Sequence, residues 1–142
     1  YDKTVKAMIL KLLTVTTLLF SLIACQVIGP IFVDYNGVRR DVAEWINTQT
    51  LMSMQQKRSL AQLSRAQQRL VRIDTLNNEQ KLEISRQNSI AMHCAQQVLT
   101  PHKIELLQLK VFGHEQEKKR VLEKYNQEFP KVKLDLSKTK CD

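Results

Sequence analysis

Glycine and proline are scarce in this chain, three of each among 142 residues, and none of either falls between Gly37 and Pro101. A glycine-rich loop that cradles phosphate is therefore excluded. No segment alternates apolar and polar residues for long enough to read as a strand. Cys25, Cys94 and Cys141 lie too far apart for a zinc site or a CxxC redox pair. His93, His102 and His114 stand on separate segments without a spaced carboxylate partner. His93 and Cys94 are adjacent, but neighbours on a helix point about 100° apart. A Cys–His enzyme also needs an orienting group and an oxyanion site. The sequence thus predicts no enzymatic activity and no metal or other cofactor. Acidic residues are few as well, 14 against 22 Lys and Arg, for a formal charge of +8.

What is present begins with Met8–Cys25, MILKLLTVTTLLFSLIAC. Lys11 sits near its start, an apolar run follows, and a small residue, Ala24, precedes Cys25. That layout predicts a secretory signal over residues 8–24, cleaved after Ala24. Leu22-Ile23-Ala24-Cys25 resembles the lipobox of bacterial lipoproteins. The resemblance implies a diacylglyceryl thioether on Cys25 and an anchor in membrane lipid. In that class Asp after the cysteine directs retention in the inner membrane. Gln26 stands there instead and points to the outer membrane. The alternative is a retained transmembrane helix, because only Lys11 is charged between Met8 and Val33 and about 20 such residues span a bilayer. Residues 1–7 precede a natural start at Met8 and are set aside from fold reasoning.

The remainder reads as a tether over 25–37, a helical domain over 38–130 and a polar tail over 131–142. Removing residues 1–24 takes out Lys3, Lys6 and Lys11 against Asp2, which leaves a charge of about +6 spread along the chain. Spread charge on helices is ordinarily a solvated face; the remaining partners it suits are acidic lipid and unfolded acidic clients. Nucleic acid is not an expected partner of an exported protein. With Cys25 lipidated, Cys94 and Cys141 are left as a candidate disulfide in an oxidising compartment. Such a bridge staples the tail to the third helix.

Freedom from breakers, with abundant Gln, Arg, Leu, Lys and Ala, predicts an all-α domain, either a small antiparallel bundle or extended hairpins. Capping-box spacing recurs. Ser53 and Gln56, Ser64 and Gln67, and Asn77 and Gln80 each place a capping side chain three residues before a glutamine. Thr100 opens a fourth case, with Pro101 at the first helical position and Lys103 where the glutamine stands elsewhere. The two serine boxes are eleven residues apart, so one of them falls inside a helix. Four helices follow: about 38–48, with Val42, Trp45 and Ile46 on one stripe; 54–73, with Leu60, Leu63, Leu70 and Ile73; 78–99, with a weak stripe of Leu82, Ile90, Cys94 and Val98; and 101–128, kinked or broken at Gly113.

The repeated boxes resemble the Leu-Thr-x-x-Gln motif of helical periplasmic stress proteins of the CpxP and Spy type. Leu63, Gln67, Leu76, Gln80, Leu99 and Thr100 are the matching positions. That resemblance implies a cradle-shaped helical homodimer that binds unfolded clients on a basic face, or restrains an envelope sensor. Tyr35-Asn36, Trp45 and the box at Ser53 are similar in order to a group of proteobacterial lipoproteins of no assigned activity.

Arg65, Arg69 and Arg72 are the candidate client-binding cations. Trp45 either packs in the core or meets the bilayer interface. His102 and Lys103 sit unfavourably at a helix start, where negative charge is preferred, and suit an anionic partner. The expectation is a lipid-anchored, periplasm-facing helical binding protein of the bacterial envelope. The alternative is a single-pass membrane subunit or a phage spanin-like protein that keeps its apolar segment.

Overall fold

The computed structural model describes residues 36–142. The signal segment, Ala24, the lipobox cysteine Cys25 and Tyr35 lie outside the described residues. Within them the chain is all-α: helices α1 (Arg40–Asn47), α2 (Met54–Gln68), α3 (Asn78–Val98), α4 (Pro101–Phe112) and α5 (Glu115–Glu128), with a 3₁₀ segment over Arg69–Thr75 between α2 and α3. No strand occurs among the described residues.

Side-chain caps account for the starts of α2 to α5, while Arg39 at the start of α1 makes no such bond. Ser53 Oγ accepts from the Gln56 amide at 3.2 Å, and Gln56 Oε1 accepts from the Ser53 amide at 3.0 Å. Asn77 and Gln80 make the same reciprocal pair at 2.9 and 3.0 Å. Each box satisfies two amides that a helix start leaves without partners. Thr100 Oγ1 accepts from the Lys103 amide at 3.3 Å, with Pro101 in the first turn. His114 caps α5, its Nδ1 accepting from the Glu117 amide at 3.2 Å. Gly113 separates α4 from α5 at φ 94°, a conformation that side chains disfavour.

Ser64 and Gln67 form no cap. Both lie inside α2 and are fully buried. A cap needs free amides ahead of it, and in mid-helix those amides are already bonded. The second helix is also shorter than the expected 54–73. Its α geometry ends at Gln68, and Arg72 departs from helical geometry at φ −103°, ψ 32°. Leu70 and Ile73 both reach the core from this segment.

Helix α2 is central and packs against α1, α3 and α4. Gln56 Nε2 donates to Val98 O at 3.0 Å, and Arg69 pairs with Gln87, so α2 and α3 run antiparallel. At the other end Gln68 bonds Gly37 and Arg39, and Arg39 donates to Val111 O and Lys110 O. This places the chain entry beside the end of α4. Val42, Ile46, Leu60, Leu63, Leu70 and Leu107 are fully excluded from solvent. Burial of one such side chain stabilises by about 1.5–3 kcal/mol.

The buried face of α3 differs from the expected stripe. Leu82 is exposed, while Ile84, Ser85, Asn88, Ala91, Cys94 and Ala95 turn inward. Small and polar side chains dominate this face. From the register, Gln67 lies opposite Asn88. Neither amide end of Gln67 has a hydrogen-bond partner, nor do Ser64 Oγ and Asn88 Oδ1. Lys57 is buried too, but its Nζ donates to Asn47 O at 3.2 Å. It thereby meets the negative end of α1.

Candidate functional site

A groove of about 310 Å³ lies between α3, α5 and the strand-like stretch that follows α5. Its floor is polar. Ser85 and Asn88 project from α3 and are nearly inaccessible. Ser85 Oγ donates to Pro130 O at 2.6 Å and lies 3.3 Å from Tyr125 Oη. These contacts hold the roof, Pro130–Val132, over the helix. Met92, Tyr125 and Phe129 supply apolar wall, with His93, Gln96 and Lys131 completing the lining. Tyr125 and Phe129 are stacked at 4.8 Å between centroids and tilted by 48°. Lys81 Nζ sits 5.8 Å from the Phe129 ring centre and 3.2 Å from Glu128. That cation over the ring keeps Phe129 in place against the groove.

The tail continues from this roof across α3 to a disulfide. Cys94 and Cys141 are bonded, with Cα atoms 5.5 Å apart, as disulfide geometry requires. Cys94 is buried and Cys141 exposed. Asp142 then forms an ion pair with Arg65. A second depression of about 320 Å³ opens there, bounded by Gln62, Gln87, Ile90 and the end of the tail.

Of the three candidate arginines only Arg65 is ion-paired among the described residues. Arg65 is engaged by Asp142, and Arg69 donates to Gln87 Oε1. Arg72 lines a separate depression with Val38 and Val71. Trp45 is half-buried against the core, and its carbonyl accepts from the Thr48 hydroxyl at 2.7 Å. His102 is exposed at the start of α4.

Ion pairs fasten α5 to the rest of the domain. Lys124 pairs with Asp74 of the 3₁₀ segment, and that hydrogen bond holds the Asp74 carboxyl below its ordinary value. Glu117 is lowered by its hydrogen bond from Arg120. The Lys118 ammonium is raised, first by Glu115 and then by Glu105, which it reaches across the α4–α5 turn. Among the described residues no group of three His, Cys, Asp or Glu is placed to hold a metal ion. No helix among them is long and apolar enough to cross a membrane.

Sequence reasoning singled out none of the polar groove floor. The available signal was the weakness of the apolar stripe on α3. Ser85, Asn88, Ser89, Met92 and Gln96 recur at helical spacing, and so share one face. No family model, no curated protein and no solved structure matches this chain.

Proposed function

We propose that this chain is a helical binding protein of the bacterial envelope, anchored in membrane lipid through Cys25 and facing the periplasm. The observation that carries the reading is the Cys94–Cys141 bridge. Disulfides persist in oxidising compartments and are rare in the reducing cytosol. The signal-like segment and the lipobox-like Leu22-Ile23-Ala24-Cys25 support the same location. Binding is supported by the groove, whose lining offers amides, hydroxyls, an imidazole and aromatic rings. A chaperone-like role belongs to the groove in this reading, with Arg65 held by Asp142.

The test is the intact mass of protein purified from membranes without reductant. A chain beginning at Cys25 with added acyl mass is the expected result. A mass that retains residues 8–24 overturns the lipoprotein reading and makes the chain a single-pass membrane subunit.

A further inference from the structure

We infer that Cys141 is a thiol–disulfide exchange site, and that opening the bridge there releases the tail over 131–142, which acts as a removable cover on α3. This rests on the reading of the chain as an envelope protein, in a compartment where disulfides form and exchange. Three observations carry it: unequal access to the two sulfurs, the sparse fastening of the tail, and what the tail covers.

Cys94 is 1% exposed, whereas Cys141 lies in solvent. An external thiolate therefore reaches the bridge through Cys141. The reductant is a dithiol of the CxxC class. One of its thiolates bonds Cys141 Sγ, the bond to Cys94 breaks, and Cys94 leaves as a thiolate that takes a proton from water. The second sulfur of the dithiol, as its thiolate, then displaces Cys141, which is protonated in turn. The dithiol ends as a disulfide, and two electrons have passed to the Cys94–Cys141 pair.

Apart from the bridge, the tail is held lightly. None of its apolar residues Val132, Leu134 and Leu136 belongs to the hydrophobic core. Its hydrogen bonds are mostly internal. The Ser137 amide and hydroxyl donate to Asp135 Oδ1 at 3.1 and 2.6 Å, and the Lys138 amide and Thr139 hydroxyl donate to Asp135 O, both at 3.0 Å. Lys131 donates to Asn126 O in the last turn of α5. Beyond Pro130, which Ser85 holds, the remaining tie to the helices is the pair between Asp142 and Arg65. A solvent-exposed ion pair fastens a chain weakly. A segment with few buried apolar contacts opens locally while the rest of a domain stays folded.

The covered ground is a defined place. Lys140 and Asp142 close one side of the depression bounded by Gln62, Arg65, Gln87 and Ile90. Asp142 supplies the carboxylate that Arg65 meets there. Release of the tail bares the Arg65 guanidinium beside Ile90 and opens the way to Cys94 on α3. The oxidised chain thus fills this depression with its own acidic residue, and the reduced chain presents it open.

The test uses the full chain in detergent without denaturant. Brief exposure to reduced glutathione, quenched with a maleimide and mapped by peptide mass, should place glutathione on Cys141 and the maleimide on Cys94. Dithiothreitol should open the bridge with far-UV CD unchanged. Trypsin should then cut after Lys138 and Lys140 about tenfold or more faster than in the oxidised chain, since cleavage follows the population of the open form. Cys141→Ser should show the fast cleavage without reductant. Glutathione on Cys94, a bridge that yields only when the helices unfold, or equal cleavage of the oxidised and reduced chains overturns the inference. The envelope location is judged separately by intact mass.

Discussion

Replacing Gln67 by methionine should make the protein more stable, although it deletes a polar group from the chain. Gln67 is wholly buried in α2, and both ends of its amide lack hydrogen-bond partners. Methionine keeps the unbranched shape and removes the unpaired dipole, so packing changes little. Each buried, unsatisfied polar group costs about 1–3 kcal/mol. The expected gain is thus about 1–3 kcal/mol. For a domain near 100 residues that raises Tm by roughly 4–12 °C. Thermal unfolding followed by CD reads it directly. Gln96→Met is the control, an exposed glutamine on α3 whose loss should stay within about 0.5 kcal/mol. Ser64→Ala in the same seam should add to the Gln67→Met gain, because Ser64 Oγ is also unpaired. A loss of about 1 kcal/mol or more on Gln67→Met refutes the reasoning. It would mean that the amide is satisfied in solution and that the seam between α2 and α3 is a hydrogen-bonded network.

The bridge closes a loop with a sequence separation of 47. The chain-entropy model gives about 4 kcal/mol for a loop of that size. Cys141→Ser removes little packing, since Cys141 is exposed, and should lower stability by about 2–4 kcal/mol; an unchanged melt would show that the tail is not stapled. Acid should also destabilise the domain. Asp41, Asp74 and Glu83 are held below their ordinary values of 3.8 and 4.5, chiefly by hydrogen bonds from Arg39, Lys124 and Arg86 respectively. A carboxyl lowered on folding contributes above its ordinary value and loses that contribution as pH falls through the lowered one. Melts should therefore hold from neutrality to about pH 5 and decline below pH 4.5, less steeply in high salt. A flat profile down to about pH 2.5 would leave these pairs without energetic weight.

Much of the helical layout is legible in the sequence because its determinants are local. The boxes at Ser53 and Asn77, Pro101 after Thr100, and Gly113 each act within a few residues of their own position. Freedom from glycine and proline in 38–100, with abundant good helix formers, favours helix over that stretch. The Cys94–Cys141 pairing was legible by elimination on the proposal that Cys25 carries lipid. Ser64 and Gln67 show where local spacing misleads. They match a capping box, yet a box acts only where a helix begins, and here the helix had begun at Met54.

The sequence by itself determined the helical class, three of the helix starts and the break at Gly113, since backbone hydrogen bonding between near neighbours decides them. Only the tertiary structure decided which face of α3 is buried. Close approach of α2 selects small and polar residues there and leaves Leu82 in solvent, against its hydrophobicity. The same holds for the groove. Ser85 and Pro130 are 45 positions apart, and Ser85 and Tyr125 are 40 apart. They meet because the end of α5 and the stretch after it come beside α3, and contacts between distant positions leave no periodic trace in the chain.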